Sequence, residues 1–569
     1  EIDTRIRDAH GLEDSARRVL KAVGLLNVVS AGGSVRASRN IIEFACADGQ
    51  QGTQTGAQVR EQLDGLEKAG LVTYRDFADE YRVWSGSDFD LKAALDMARW
   101  RLRDEDPTVV LQRVIPMRPL VAARHSHEKG TLRAFARQWI SEDAKNIHPL
   151  GMADREDGIA FYVLGSKTPH LEVQNCRGAK PVAFVTNANP ESLIQAAREV
   201  VAFDEVLADQ ETLGDDWVAR RELVERRTEA CLEVDRIAEE LYGATVGSRR
   251  DWTFLPSFKF RRPRSLDDLT ASQAMSAIAD SWYSEAPTIR NDLINRHELS
   301  SALAKARRLL LEAMISEPDK EALGIDGNGP DKTLYRTVLE ASGLHRRSKD
   351  GWSFKPPKPG SPVYKTWQRL IELLNAASEE RLGVDELYAE LASPPFGVRE
   401  GVAPVFLAAA LIINRDVLAL YENQTFVPRL TNDLVERLLK NPQNFQVKHF
   451  ASRTGPRSRL LTTVAEQLQL PDSQPKHRQQ VGSVLAVVSH LVRTIVEVPL
   501  YTQRTTHLKK STQAVRKHLL DATEPDELLF SAIPTALGFD PVPGYGSYSP
   551  DRIEQLALGL TEAVEELGN

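Results

Sequence analysis

The chain has 569 residues, 42% of them hydrophobic, a length that predicts several packed domains. Its formal net charge is −8, so nucleic-acid binding would depend on local basic patches rather than on the overall field. Three distant cysteines, Cys46, Cys176 and Cys231, argue against a disulfide framework or a cysteine-based zinc site. No signal peptide is visible, and the longest apolar stretch is about half of what a membrane span needs. We therefore expect a soluble, cytoplasmic protein without membrane association.

The sequence of residues 1–105 predicts a winged-helix domain followed by one further helix. Three helices and a β-hairpin are expected between residues 13 and 84. The third helix, which would read DNA in such a fold, carries two basic and three acidic residues: Arg60 and Lys68, against Glu61, Asp64 and Glu67. Because this excess of acid opposes phosphate contact, we interpret the unit as one that packs against protein.

Residues 106–250 predict a small α/β domain. Two short apolar runs, at 158–164 and 181–186, have the composition of buried strands. A helix begins after Asn189-Pro190, where an N-cap residue precedes proline, and a long second helix follows at about 216–242. We expect this helical hairpin to pack on the sheet or to project from it.

Beyond residue 250 the chain is predicted to be mainly helical. Residues 251–383 and 384–450 each contain helices followed by a β-hairpin, and residues 451–569 form a C-terminal helical domain. The Asp-Gly pair at 350–351, between two short β-prone runs, is a good hairpin signal. The predicted fold class is therefore mainly α and multidomain, with winged-helix-like units and a small α/β insertion carrying a helical hairpin.

Three basic segments are candidates for nucleic-acid contacts. The first lies on a predicted wing, where contacts to the DNA backbone are common: His345, Arg346, Arg347 and Lys349. The second interleaves with phenylalanines, which could stack on bases or anchor a connector to a neighbouring domain: Lys259, Arg261, Arg262 and Arg264. The third can share one helix face, for which a solvated surface is the alternative: Lys509, Lys510 and Arg516.

Catalytic signatures are mostly missing from the sequence. Gly165-Ser166-Lys167-Thr168 is similar to the end of a phosphate-binding loop, but Ala160 stands where its first glycine would lie. Pro169 would also break the helix that should follow. His125 and His127 have no acidic or cysteine companion at metal-ligand spacing. We therefore predict no catalytic residue, no metal site and no cofactor in this chain.

Two further polar segments have the character of structural motifs. The first could form a polar cluster between helices: Asn291, Asn295, Arg296, Arg307 and Arg308. In the second, at 394–401, Arg399 could reach a phosphate or an acidic partner. Because buried polar networks must be fully paired, these patterns favour packing over function.

Three segments together carry a resemblance to a known family: Tyr81-Arg82-Val83-Trp84-Ser85-Gly86-Ser87-Asp88-Phe89-Asp90, Leu293-Ile294-Asn295-Arg296 and Pro394-Pro395-Phe396-Gly397-Val398-Arg399. This pattern resembles large bacterial P-loop ATPases of anti-phage defence, specifically the BREX-type ATPases. In that family the nucleotide-binding domain precedes a winged helix. This sequence contains no phosphate-binding loop, so ATPase activity does not transfer to its residues and is expected in an upstream domain.

The resemblance implies a non-catalytic sensor or scaffold region of a defence ATPase. Such a region would couple an upstream NTPase domain to other defence proteins or to DNA, and oligomers are compatible with that role. The alternative is a stand-alone winged-helix protein that binds DNA or regulates other proteins. A metal-dependent nuclease is the weakest alternative, because no carboxylate constellation supports it.

Overall fold

A computed structural model describes most of the chain. The described residues are 6, 9, 11–30, 35–47, 55–75, 79–84, 89–144, 156–169, 180–213, 216–243, 251–254, 270–349, 351–450, 455–470, 483–521 and 523–568. They are mostly helical and include several small sheets, which confirms the prediction of a mainly α chain. None of the helices in these ranges combines the length and apolar character needed to cross a lipid bilayer.

The N-terminal unit consists of three helices followed by a two-stranded antiparallel hairpin. Its elements are α1 (Asp14–Ser30), α2 (Arg39–Cys46), α3 (Gly56–Lys68), β1 (Val72–Arg75) and β2 (Glu80–Val83). Thr55 and Gln58 form a capping box that fixes the start of α3. Val19, Ile42 and Leu63, one from each helix, meet in its core. The predicted order of elements is therefore present.

A mixed five-stranded sheet follows, and it is larger than the two strands predicted from the sequence. The elements are α4 (Leu91–Leu102), α5 (Pro107–Val114), β3 (Leu120–Val121), α6 (Ala123–Lys129), β4 (Ala134–Ser141), β5 (Gly158–Leu164), β6 (Val182–Thr186), α7 (Glu191–Ala208), α8 (Gln210–Leu213), α9 (Trp217–Tyr242), β7 (Asp251–Phe254) and α10 (Ala271–Trp282). The strand order is β3-β4-β5-β6-β7, with β4, β5 and β6 parallel and both edge strands antiparallel. The sheet thus extends past residue 250.

Successive residues of β5 point to opposite faces of this sheet, as strand geometry requires. Ala160 and Tyr162 join the large core formed with α7 and α9, whereas Ile159 and Phe161 pack in a smaller cluster on the other face. Both faces are therefore covered, which explains why β5 reads as a continuous apolar run.

The central region is helical, with two hairpins. Its helices and short turns are α11 (Ser301–Ser316), a 3₁₀ turn (Glu321–Gly324), α12 (Pro330–Leu334) continued by a π-turn (Tyr335–Glu340), α13 (Tyr364–Ala376), α14 (Val384–Ala392), α15 (Ala403–Ile413), α16 (Asn432–Lys440) and a 3₁₀ turn (Pro442–Asn444). Its strands are β8 (His345–Ser348), β9 (Gly351–Phe354), β10 (Leu382–Gly383), β11 (Leu418–Glu422), β12 (Thr425–Val427) and β13 (Phe445–His449). The predicted β11–β12 hairpin belongs to a four-stranded antiparallel sheet, ordered β10-β13-β11-β12.

The C-terminal region is helical and shares its core with that four-stranded sheet. The elements are α17 (Pro456–Gln467), α18 (Val484–Glu497), α19 (Leu500–Arg504), α20 (Lys510–Leu520), α21 (Pro525–Glu527), a π-turn (Leu528–Ala532), α22 (Ile533–Ala536) and α23 (Pro550–Gly568). Tyr421 of β11 and Phe426 of β12 pack in the same cluster as Leu460 and Leu491. This region therefore rests directly on the sheet.

Candidate functional site

The basic hairpin β8–β9 is the first candidate site. Antiparallel pairing sets Arg346 opposite Ser353 and Arg347 opposite Trp352. Its basic residues have three different environments, because His345 is buried, Arg346 is half-buried, and Arg347 and Lys349 are exposed.

His345 is a packing residue and not a phosphate contact. Its Nε2 lies 3.0 Å from the carbonyl oxygen of Pro318, which can only accept, so this nitrogen carries the proton. Its Nδ1 accepts from the Tyr335 hydroxyl at 3.0 Å. The ring also stacks on Trp352 and packs on Phe354. Burial lowers the pKa of His345, so the ring is neutral and out of reach of a ligand. His345, predicted as a nucleic-acid contact, is therefore placed by the structure in the interior of the unit.

The remaining basic residues of this hairpin are of two kinds: one is hydrogen-bonded to the backbone and two are exposed. Arg346 donates from Nη1 to the carbonyl oxygens of Gly343 and Pro356, the latter at 3.0 Å, and so ties the base of the hairpin together. Arg347 and Lys349 project at the tip, and neither has an ion pair or hydrogen bond to any residue that the structure describes. The cations of Arg347 and Lys349 are therefore exposed on a hairpin whose base is held by the hydrogen bonds of Arg346.

The other two basic segments have different outcomes. Lys259, Arg261, Arg262 and Arg264 lie outside the described residues. Lys509 and Lys510 are exposed at the start of α20, as a solvated or ligand-binding face requires. Arg516 instead donates from Nη1 to the carbonyl oxygens of Thr502, at 2.8 Å, and Thr505, at 2.7 Å. It therefore holds the preceding segment in place.

A buried ion-pair cluster around Asp157, the sheet junction, connects the mixed sheet to the central helices. Asp157 precedes β5, and its Oδ1 accepts from Arg133 Nη1 at 2.7 Å. Its Oδ2 accepts from Arg399 Nη2 at 2.8 Å. The acidic partner that Arg399 could reach is thus within the chain, 242 residues away. All three side chains are buried.

Aromatic and backbone contacts complete the sheet junction. The guanidinium carbon of Arg133 lies 3.7 Å above the centre of the Tyr283 ring, and the Tyr283 hydroxyl donates to the Asp157 carbonyl at 3.0 Å. Arg133 Nη2 also donates to the carbonyl oxygen of Gly397 at 2.7 Å. Gly397 has a φ of +57°, and a Cβ there would lie 2.5 Å from Arg133 Nη2. Only glycine allows this close approach.

The electrostatics of the sheet junction keep its charges fixed. Burial alone would raise the pKa of Asp157, but hydrogen bonds and the charges of Arg133 and Arg399 outweigh it and hold that pKa well below its ordinary value. Burial lowers the pKa of Arg133. Removal of the carboxylate would leave two buried guanidinium groups without a counter-charge.

A second buried cluster, the N-terminal junction, connects the first hairpin to α9. Arg75 of β1 pairs with Glu222 through two hydrogen bonds, one of them from Nε to Oε1 at 2.8 Å. Glu80 lies within the same buried cluster, and Glu225 accepts from both Arg75 and Arg82 at 2.8 Å. The first unit therefore packs against protein through its hairpin, and the protein surface belongs to this chain.

A third cluster, the C-terminal junction, connects the four-stranded sheet to the helices that follow. Glu524 accepts from Arg381 Nε at 3.1 Å and from Lys448 at 3.3 Å. The Tyr421 hydroxyl donates to the same carboxylate at 3.3 Å, and Arg381 lies over the Tyr421 ring. Each junction thus centres on a carboxylate held by at least one arginine.

The polar residues at 291–308 do not form one cluster. Asn295 donates from Nδ2 to the carbonyl oxygens of Gly130 and Ile289, and Asn291 donates to Thr337. Arg307 donates to the backbone carbonyl oxygen of Glu400, Arg308 pairs with the Glu312 carboxylate, and Arg296 is exposed. They fix separate packing contacts rather than a shared site.

Sequence reasoning missed an acidic companion for His125. The buried ring contacts Asp280 through Nδ1 at 2.7 Å, across 155 residues of sequence. Burial alone would raise the pKa of Asp280, but hydrogen bonds from His125 and Arg124 bring it below its ordinary value. No group of three potential metal ligands occurs within the described ranges. Because His125 and Asp280 are far apart in sequence, a single sequence does not reveal that they pair.

The segment resembling a phosphate-binding loop, Gly165 to Thr168, does not open a helix. It leaves β5 as a bend, and the Gly165 carbonyl accepts from Asn187 N at 3.0 Å. A phosphate cradle needs backbone N–H groups that converge at a helix start. The described geometry gives no such start here.

Comparison with known proteins found no relative. No protein-family model, no curated protein and no solved structure matches this chain.

Proposed function

We propose that this chain is a non-catalytic scaffold that presents the β8–β9 hairpin to double-stranded DNA. The observation that carries this proposal is the pair of exposed cations at the hairpin tip, Arg347 and Lys349, without partners among the described residues. His345 and Arg346 support that tip from below. Cations on a rigid wing are suited to phosphate oxygens, which fix position rather than read sequence.

The three junctions support a coupling role. Each is a buried or half-buried carboxylate that fixes a neighbouring unit through long-range ion pairs: Glu222, Asp157 and Glu524. Breaking such a pair leaves a stranded charge, so intermediate arrangements are costly and the units move together. We propose that strain at one end is thereby transmitted to the DNA-binding hairpin.

The resemblance to BREX-type defence ATPases supplies the broader context of this proposal. An upstream NTPase domain would provide the nucleotide-dependent motion, and other defence proteins or DNA would receive it. In this proposal, residues 14–83 and 301–354 are winged-helix-like units, the first docked on protein and the second on DNA.

The test is duplex binding measured by fluorescence anisotropy. We expect the double variant Arg347→Ala/Lys349→Ala to bind a labelled duplex roughly ten- to a hundredfold more weakly at about 0.1 M salt, because two phosphate contacts are lost. The matched control is Arg18→Ala/Lys21→Ala, which removes two exposed cations from α1. Equal weakening by both variants would indicate a general charge effect and contradict the proposal.

A further inference from the structure

An exposed apolar and aromatic group marks the C-terminal region. Val496, Leu500 and Tyr501 lie close together in sequence, at the turn between α18 and α19, and are 60%, 67% and 70% exposed. Leu520, at the end of α20, is also exposed. Single exposed apolar residues are common, but a local group of them marks an interaction surface.

Side-chain hydrogen bonds hold this turn firmly in place. Gln503 Nε2 donates to the carbonyl oxygens of Val496 and Val498, at 3.3 and 3.1 Å. Arg516 provides the two further bonds to Thr502 and Thr505 described above. The exposed ring of Tyr501 is therefore presented from a braced backbone.

The sequence that contains this group is rich in basic residues. Residues 483–521, which we name the α18–α20 platform, carry six basic and two acidic residues, within a chain of net charge −8. The basic residues are Arg493, Arg504, Lys509, Lys510, Arg516 and Lys517, and the acidic ones are Glu497 and Asp521. Arg504 follows Tyr501 by three residues in α19, so both share one face of that helix.

A shallow cleft lies beside this turn. Gln503, Arg516, Lys517, Leu520 and the acidic Asp521 are among the residues that line it, between α19 and α20, and its volume is about 460 Å³. The exposed Lys517 adds a cation to the same surface. The cleft lies within the α18–α20 platform, which also carries the exposed ring of Tyr501.

We infer that the α18–α20 platform binds single-stranded nucleic acid. Tyr501 stacks on an unpaired base, while Arg504, Lys509 and Lys517 contact phosphates. This combination of aromatic and basic side chains is the one that single-strand binders use, because every base has a face to stack and every nucleotide a phosphate. An anionic lipid surface fits less well, since α19 has only five residues and offers no long amphipathic face.

This surface shares no residue with the β8–β9 hairpin, so it adds a second form of nucleic acid to the proposed duplex contact. The probe is a labelled oligothymidylate of about 16 nucleotides, which forms no duplex. We expect the full chain to bind it, and Tyr501→Ala to weaken binding about five- to a hundredfold. Tyr501→Phe retains the ring and should bind within about twofold of the parent chain. Tyr545→Ala is the matched control, because Tyr545 is 89% exposed and lies elsewhere.

The charge contribution is tested separately. Lys509→Ala/Lys517→Ala should reduce the slope of log affinity against log salt by about 1.4, or 0.7 per phosphate. Failure of the parent chain to bind the oligonucleotide would overturn the inference, as would equal binding by Tyr501→Ala.

The hairpin variant separates this inference from the proposed function. Arg347→Ala/Lys349→Ala should leave oligothymidylate binding unchanged; if it abolishes that binding, the single strand occupies the hairpin and the platform assignment is wrong. Capture of anionic phospholipid vesicles through Tyr501, without oligothymidylate binding, would also overturn the inference. Failure of the parent chain to bind the duplex, with oligothymidylate binding intact, would contradict only the proposed function.

Discussion

Two hairpins in this chain follow helices in the same order and use arginine in opposite ways. In β1–β2, Arg75 is buried against Glu222, a residue 147 positions further along the chain. In β8–β9, Arg347 and Lys349 are exposed and have no partner among the described residues. The comparison shows that the arginines of a basic hairpin are buried or left exposed according to which carboxylates the fold brings to them. Local charge alone does not decide.

The largest expected effect concerns the joint. Glu222→Ala would leave Arg75 buried with its main counter-charge gone and should lower the free energy of unfolding by about 3–5 kcal/mol. Urea unfolding followed by circular dichroism measures this change. The control, Glu233→Ala, removes an exposed partner of Arg236 on the same helix and should leave stability unchanged. Equal stability of both variants would show that the first hairpin is not fixed by this pair.

The pH dependence of stability should distinguish the two hairpins. The folded pKa of His345 lies below its unfolded value, so the unfolded chain takes up a proton first as pH falls below about 6.5. The β8–β9 unit therefore loses stability as the pH falls below about 6.5. Burial alone would raise the pKa of Glu222, but the hydrogen bond and the charge of Arg75 outweigh burial and lower that pKa. The contribution of Glu222 to folding stability is therefore complete above about pH 4.3 and is lost only below that pH.

Urea unfolding at several pH values tests this difference. His345→Gln should flatten the dependence of unfolding free energy on pH in the upper window by up to about 1.4 kcal/mol per pH unit. His449 and His490 also have pKa values lowered by burial, so a residual slope remains in this variant. A slope identical to that of the parent chain would contradict the buried, neutral state of His345.

The smallest expected effect concerns the third helix of the first unit. Arg60 of α3 pairs with Glu43 of α2, with Nε and Oε1 2.5 Å apart, on an exposed surface. Arg60→Ala should change duplex affinity by less than about twofold, because its charge is matched locally and salt screens it. Anisotropy with the duplex used for the hairpin variants is the measurement. A large loss would place DNA on the first unit and remove the contrast between the hairpins.

Local sequence signals predicted the elements that depend on local chemistry. The Thr55 cap of α3, the apolar runs of β5 and β6 and the Asp-Gly turn of β8–β9 each specify an element through neighbouring residues. Strand β4 was missed, since charged and polar residues such as Arg137 and Gln138 interrupt its apolar pattern. Strand β10 has two residues, too few for a periodic signal.

The site could be predicted only in part, for a different physical reason. The exposure of Arg347 and Lys349 was expected for residues on a wing. The burial of His345, in contrast, depends on its contacts with Pro318 and Tyr335, which lie earlier in the sequence. The ion pairs Arg381–Glu524, Arg75–Glu222 and Arg399–Asp157 join residues 143, 147 and 242 positions apart. A single sequence gives no information on such pairings, because any of its many acidic residues could satisfy a given arginine.

The salt dependence of duplex binding tests the central claim most directly. Anisotropy titrations of the parent chain and of Arg347→Ala/Lys349→Ala, at several salt concentrations, give the slope of log affinity against log salt for each. Two lost phosphate contacts predict a slope smaller by about 1.8, with the free energy of unfolding unchanged. An unchanged slope would contradict the assignment of β8–β9 as the DNA-contacting hairpin.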